Sequence, residues 1–224
     1  MIEIDKDELN GVNVTYIEDK ISIYNKMRLD FLNRPFDFWK LYKKQMLYRP
    51  ILITGHRGTA KNEVALQICQ CLDNDFDIDK NIIRNSEDFI KNIKKKSTYL
   101  ISSDKCHMNR RINTEKNIQF MKLMQTGRAN ETFYCLLSNT VSSISNYILN
   151  YIQEYINVVK TFKDYHIVEI LTFTPPFSLN DLVNAPKLES MEDDEYVEYV
   201  NFIITNTNFW LMKYPRLNGD EIDV

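Results

Sequence analysis

The chain has 224 residues, 44% of them hydrophobic, and a formal net charge of −3, which suits one α/β domain with additions. The slightly acidic balance excludes a global attraction to nucleic acid, so any such contact needs a local basic patch. The acidic start MIEIDKDELN is unlike a signal peptide, and no apolar run reaches the roughly 18–20 residues that span a bilayer. The four cysteines show no metal-ligand spacing. We therefore expect a cytoplasmic protein without a membrane contact or a metal site.

Residues 1–47 are predicted to form an N-terminal extension with a short strand at Val12–Tyr16, followed by helices. From residue 21 to residue 47 aromatic and basic residues interleave, and Pro35 separates two short helices. Two interpretations stay open for this segment. Its helices pack aromatic rings into the core and leave Lys and Arg in water, or residues 21–49 form a nucleic-acid-binding surface.

Residues 48–174 alternate between short apolar runs and amphipathic segments. The run Ile51–Thr54 stops at Gly55 and is typical of a central parallel strand buried on both faces. Further strands are predicted at Ile82–Ile83, Thr98–Ile101 and Thr132–Leu137, and helices at Asn62–Leu72, Ser86–Lys96 and Thr114–Thr126. This alternation predicts a mainly parallel central sheet with helices on both faces, in which Ile51–Thr54 lies between Tyr99–Ser102 and Thr132–Leu137.

The end of the chain carries two further patterns. Glu154–Phe162 and Tyr165–Phe173 flank a Lys-Asp turn and resemble a hairpin at the edge of the sheet. Residues 175–224 begin at a Pro-Pro pair and contain an acidic run, then apolar residues that include Trp210 and Tyr214. This last region is predicted to form a helical cap on the domain.

Residues 55–62 carry the most informative motif and read Gly-His-Arg-Gly-Thr-Ala-Lys-Asn. They match in part the phosphate-binding pattern G-x-x-x-x-G-K-[ST], whose backbone N–H groups and lysine hold phosphates. Ala60 replaces the last glycine, and Asn62 replaces the hydroxyl residue that binds Mg²⁺. The predicted nucleotide-binding residues are Gly55, His56, Arg57, Gly58, Thr59, Ala60, Lys61 and Asn62.

With this loop, the two later strands and Asn109–Arg111 in order, residues 48–162 resemble the additional-strand P-loop ATPases. They resemble especially the small archaeal and viral ATPases related to FtsK, HerA and zonula-occludens-toxin-like proteins. This resemblance implies a P-loop NTPase fold and ATP or another nucleotide as ligand. It also implies a protein partner, either further copies of the chain or an active paralogue, with DNA as a further candidate. In a viral setting the protein would lie in the host cytoplasm or the virion.

The resemblance also assigns positions outside the loop. The two acids that end the Walker B strand in such enzymes fall on Ser102 and Ser103, and Asp104 is a candidate substitute. Asn139 matches the sensor position, and the candidate arginine fingers are Arg110, Arg111 and Arg128. A serine hydroxyl cannot act as a carboxylate base or neutralise the charge of Mg²⁺.

These replacements predict a degenerate member of the family, with no confident catalytic residue and little support for a Mg²⁺ site. Such a protein would be a weak nucleotide binder or a catalytically inactive subunit of a motor or viral assembly complex. Two alternatives remain open. One is an active DNA-packaging or translocating ATPase with unusual motifs, and the other is a nucleic-acid-binding protein that uses residues 21–49.

Overall fold

The computed structural model describes residues 33–45, 48–84, 94–102, 129–175, 177–184 and 205–217, with single positions 118, 122, 126, 127 and 202. The predicted strand at Val12–Tyr16, most of the predicted helix Ser86–Lys96 and the Asn109–Arg111 segment lie outside the described residues. Within the predicted helix Thr114–Thr126, the described positions are helical.

One mixed sheet organises the described part of the chain. Its strands are β1 (Ile51–Gly55), β2 (Ile82–Ile83), β3 (Thr98–Ser102), β4 (Phe133–Leu137), β5 (Glu154–Thr161), β6 (Tyr165–Phe173) and β7 (Thr207–Pro215). They lie in the order β2-β3-β4-β1-β5-β6-β7. The five strands from β2 to β5 in this order pair in parallel, and β6 and β7 pair antiparallel. The predicted α/β class with a mainly parallel sheet is confirmed.

The neighbours of β1 differ from the prediction. β1 lies centrally, but it pairs with β4 and β5, and Tyr99–Ser102 in β3 lies beyond β4. A uniformly apolar run indicates that a strand is buried on both faces. β1, β3 and β4 all have this property, so it does not indicate their order in the sheet. The predicted hairpin of β5 and β6 forms, but it is not at the edge, because β1 flanks it on one side and β7 on the other.

Residues 207–215 form a strand, whereas the sequence pattern predicts a helical cap over 175–224. Trp210 and Tyr214 are four residues apart, a spacing shared by one face of a helix and one face of a strand. Both pack on the same side of the sheet, and β7 pairs with β6 along its full length from Thr207 to Pro215. The helical prediction is therefore wrong for these residues, which complete the sheet.

Helices cover both faces of the sheet. They are α1 (Pro35–Lys44), α2 (Lys61–Leu72), α3 (Ile78–Asn81), α4 (Asn146–Leu149) and α5 (Leu179–Val183). α1 begins at Pro35, whose fixed φ suits the first helical position. It packs with α2 on one face of the sheet, and α4 and α5 pack on the other. None of the helices in the described ranges is long and apolar enough to cross a membrane.

The aromatic residues of α1 lie in the core. Phe38, Trp39 and Tyr42 are buried, and the Trp39 indole donates a hydrogen bond to the hydroxyl of Tyr214. Lys40 on the opposite side of the helix is exposed. For this helix the amphipathic interpretation of the basic and aromatic segment is confirmed.

Candidate phosphate-binding site

The loop between β1 and α2 leaves the sheet at Gly55 in a tight turn. A Cβ on Gly55 would lie 2.5 Å from the Thr59 hydroxyl oxygen and 3.2 Å from the Val158 Cβ, so a larger residue does not fit there. The backbone N–H and the hydroxyl of Thr59 both donate to the carbonyl of His56, at 3.1 and 2.8 Å. Gly58 has a φ of 89°, a conformation that glycine adopts without steric cost. The two glycines therefore meet different requirements of the same turn.

Ala60 ends the loop in the left-handed region, with φ 52° and ψ 34°, and caps α2. Its carbonyl accepts hydrogen bonds from the backbone N–H groups of Glu63 and Val64, so the helix starts regularly at Lys61. This is the position at which the phosphate-binding pattern has its last glycine. A Cβ in this region costs roughly 1–2 kcal/mol. The loop therefore has the backbone conformation that suits glycine, but with alanine it carries a steric cost that glycine would avoid.

Replacing Ala60 with glycine is expected to raise the free energy of unfolding by about 0.5–1 kcal/mol, because relief of the left-handed strain exceeds the added entropy of the unfolded chain. Urea denaturation followed by fluorescence measures the change. The matched control is Ala65→Gly inside α2, which is expected to lose about 1 kcal/mol or more. Equal losses in the two variants would contradict the strain at Ala60.

A cavity of about 260 Å³ opens beside the loop. It is lined by Arg57, Lys61, Asn62, Ile82, Arg84, Leu100, Ser102, Leu137, Ser138 and Asn139. The carboxyl ends of parallel strands meet at one edge of a sheet, which is where α/β proteins bind ligands. Of the residues predicted beyond the loop, Ser102 and Asn139 therefore lie in the same cavity as Lys61.

Hydrogen bonds place the sensor candidate Asn139 beside the loop strand. The backbone N–H of Ser138 donates to the carbonyl of Ile53 at 3.0 Å, which ties the end of β4 to β1. The hydroxyl of Ser138 is buried and donates to the Thr140 carbonyl at 3.0 Å, with the hydroxyl of Ser143 at 2.7 Å. Ser138 and Thr140, the residues on either side of Asn139, thus hold the turn that carries it.

Arg84 is a lining residue that the sequence interpretation misses. It directly follows the two-residue strand Ile82–Ile83 and is exposed. An exposed polar residue is expected where a parallel strand ends at the edge of the sheet. A basic residue at that place is a usable signal, because the ends of all parallel strands in the sheet face one edge. The signal is weak in the sequence, since so short a strand does not reveal its position in the sheet.

The cavity does not fit a Mg²⁺ ion on the residues that the structure describes. Its described lining contains the cations Arg57, Lys61 and Arg84 and no carboxylate. Protein Mg²⁺ sites use one or two carboxylates together with phosphate oxygens and water, and here Asn62 and Ser102 offer only neutral oxygens. Within the described ranges no group of three His, Cys, Asp or Glu residues could hold a metal. The candidate positions Ser103, Asp104 and Arg128 lie outside those ranges, and their roles stay predictions.

Comparison with known proteins gives a likeness of fold alone. No protein-family profile and no curated protein matches the sequence. Among solved structures, the chain is similar to the N-terminal domain of zonular occludens toxin from Neisseria meningitidis, with a TM-score of 0.41 and 11% identity over 77% of this chain and 95% of that chain. It is also similar to the genome packaging NTPase B204 from Sulfolobus turreted icosahedral virus 2 in complex with AMP, with a TM-score of 0.24 and 8% identity over 80% and 87% of the two chains.

The opposite side of the loop carries a buried network centred on Glu63, in the first turn of α2. Its carboxylate lies 3.2 Å from His166 Nε2 and 3.3 Å from Arg216 Nε, and it accepts a hydrogen bond from the backbone N–H of Leu217. Gln67, one turn further along α2, donates to the carbonyl of Pro215 at 2.8 Å. We call residues 215–217 the strap, because they tie the end of β7 to the start of the loop helix.

Thr161 at the end of β5 connects this network to the loop. Its hydroxyl oxygen lies 2.8 Å from the carbonyl of Thr59 and 2.9 Å from Nδ1 of His166. Burial lowers the pKa of His166, and the carboxylate of Glu63 opposes that shift. A continuous set of contacts therefore runs from the loop carbonyl through the imidazole to Glu63 and the strap.

A second cavity, of about 440 Å³, lies between the loop and the strap. Its lining residues are Arg57, Gly58, Ala60, Lys61, Asn62, Glu63, Arg216 and Leu217. Its volume falls within the roughly 300–1,000 Å³ typical of ligand pockets, whereas the first cavity is smaller. Arg57, Lys61 and Asn62 line both cavities, so a ligand held by the loop has room on either side of it.

Proposed function

We propose that this protein is a degenerate P-loop NTPase that binds a nucleotide through the loop 55–62 and supports little or no hydrolysis. The observation that carries the proposal is the convergence of Lys61, Ser102 and Asn139 on one cavity at the ends of β1, β3 and β4. The strand order supports it, because β4 lies between β1 and β3 and the ends of these three parallel strands therefore meet at the same edge of the sheet.

The same cavity argues against turnover. Phosphoryl transfer depends on a positioned metal ion and on charge stabilisation in the transition state. Ser102 stands at the first acid position of the motif, and Asn62 stands where a hydroxyl would contact the metal. With a neutral side chain at each of these places, the described lining of the site retains groups that bind phosphate and contains no carboxylate that could activate water. The role that fits is a weak nucleotide binder or an inactive subunit of a motor or viral assembly complex. The partners that fit this role are further copies of the chain, an active paralogue or DNA.

Equilibrium binding of a fluorescent ATP analogue and steady-state phosphate release test this proposal. We expect measurable binding and phosphate release at background. Lys61→Ala should lose about tenfold or more in affinity, because a charge-assisted hydrogen bond contributes roughly 1.5–3 kcal/mol. Lys163→Ala, in the exposed β5–β6 turn, is the control and should bind as the parent does.

Two outcomes would contradict the proposal. Rapid phosphate release that Lys61→Ala abolishes would favour the alternative of an active ATPase with unusual motifs. Binding that is absent, or equally strong in Lys61→Ala and Lys163→Ala, would show that the loop does not hold nucleotide.

A further inference from the structure

The first cavity concentrates positive charge from two separate places in the fold. Arg57 and Lys61 come from the loop, and Arg84 comes from the end of β2. Three strand intervals separate β2 from β1, which at about 4.8 Å each places the two strands about 14 Å apart. Arg84 and the loop therefore line the cavity from opposite ends, and a side chain as long as that of arginine is needed to extend across part of the distance.

We infer that this cavity binds the terminal phosphates of a polyphosphate ligand without a divalent cation, and that Arg84 supplies the positive charge that a metal ion supplies in related sites. This inference rests on the proposed nucleotide binding. The planar guanidinium group suits it, because it forms paired hydrogen bonds with phosphate oxygens and stays charged at any physiological pH. Asn62, Ser102 and Ser138 add neutral polar groups between the cations.

The charge pattern also predicts the sign of the metal effect. Mg²⁺ would enter a cavity whose described lining carries three cations and no carboxylate, and like charges repel. The metal-free polyphosphate presents more negative charge to the same cations. Free ATP should therefore bind more tightly than its Mg²⁺ complex, the reverse of the order in a metal-dependent NTPase.

Isothermal titration calorimetry of the full chain tests the inference with ATP and inorganic tripolyphosphate, each in excess Mg²⁺ and in EDTA. We expect affinity for both ligands to be higher in EDTA than in excess Mg²⁺. Arg84→Gln should weaken metal-free binding by about tenfold and reduce the difference between the two conditions. Lys163→Gln removes one exposed positive charge at a turn outside the cavity and should change affinity by less than about twofold, because surface charges at a distance are screened.

The outcomes separate this inference from the proposed function. If ATP binds in a Lys61-dependent way but Mg²⁺ tightens binding, or if Arg84→Gln behaves like Lys163→Gln, the role of Arg84 is overturned and nucleotide binding stands. If neither ligand binds in either condition, both fail. If ATP binds and tripolyphosphate does not, the adenosine part of the ligand contributes to affinity, and the inference is then supported or overturned by the Mg²⁺ and Arg84→Gln comparisons made with ATP. Thermal unfolding verifies that Arg84→Gln folds, which its exposed position favours.

Discussion

Replacing Glu63 with alanine is expected to lower the free energy of unfolding by about 3 kcal/mol, within the range measured when one member of a buried ion pair is removed. Glu63 is 3% exposed and contacts His166, Arg216 and the strap backbone. Without it, the N–H of Leu217 and the imidazole of His166 lose their carboxylate partner. Urea denaturation of the parent and the variant measures the difference.

The same variant should release the strap. Arg216 is a trypsin site that is held by Glu63 and by its backbone bond to the Asp164 carbonyl at 3.0 Å. We expect faster cleavage after Arg216 in Glu63→Ala than in the parent. Glu63→Gln keeps an acceptor for Leu217 and should lie between the two, whereas Asp75→Ala at an exposed loop position should match the parent. Cleavage at the parental rate in Glu63→Ala would show that Glu63 does not hold the strap.

Replacing Glu154 with glutamine is expected to raise the free energy of unfolding by several kcal/mol at pH 9 and to change it little at pH 4. Glu154 starts β5 and is fully buried. Among the described residues neither of its carboxylate oxygens has a hydrogen-bond partner, and the Arg49 guanidinium is 4.0 Å away. Burial raises the pKa of Glu154 to about 8, against smaller opposing effects of Thr172, Arg49 and Tyr42.

The sign follows from proton linkage. The folded protein keeps the Glu154 proton up to about pH 8, while the unfolded chain releases it near its ordinary pKa of 4.5. Between these values the native state binds more protons than the unfolded state, so stability falls as pH rises. At roughly 1.36 kcal/mol per pKa unit the loss has an upper limit of about 5 kcal/mol.

Glu131→Gln is the control for this pH effect, because Glu131 is an exposed carboxylate near Lys96. Chemical denaturation from pH 4 to pH 9 should show the full slope in the parent and in Glu131→Gln, and a reduced slope in Glu154→Gln. If Glu154→Gln keeps the slope of the parent, Glu154 is ionised in the native state and the proposed linkage is wrong.

The part of the site that could be predicted from sequence is the part built from contiguous residues. Ile51–Thr54, the loop 55–62 and the helix after it are adjacent in the chain, and each carries a local signature of apolar run, glycine or helical spacing. Ser102 could be placed because it ends a predicted strand whose direction is fixed by the parallel sheet. Ala60 could be recognised as a substitution, and the positive φ confirms the steric reason that made glycine the expected residue.

The misplaced strands have one physical cause. Strand position depends on which neighbours bury which faces, and a single run of residues does not contain that information. β5 alternates buried Ile156 and Val158 with the polar Asn157, as an edge strand would, yet it lies beside β1. Asn157 is accommodated there because it donates a hydrogen bond to the buried Glu169 at 3.2 Å.

Glu63 and His166 show the same limit for side chains. They are more than 100 positions apart in the chain. The imidazole contacts α2 only because the fold places β6 two strands from β1 in the sheet. The sequence contains one usable sign, a histidine within a mostly apolar strand run. A polar residue in such a place requires a buried partner, although the run does not identify which one.

The hydroxyl of Thr161 lies within hydrogen-bond distance of two possible acceptors, the Thr59 carbonyl and His166 Nδ1. A hydroxyl has one proton, so Thr161 cannot donate both to the Thr59 carbonyl and to His166 Nδ1. If it donates to Thr59, Nδ1 must carry a proton and donate to Thr161. Nε2 then needs a second proton for a favourable contact with the Glu63 carboxylate, 3.2 Å away. Only an imidazolium satisfies both sides of the ring, because a neutral ring has a proton on one nitrogen alone. Burial lowers the pKa of His166, so the imidazolium forms only on acidification, which favours the arrangement in which β5 holds the carbonyl of the phosphate-binding loop.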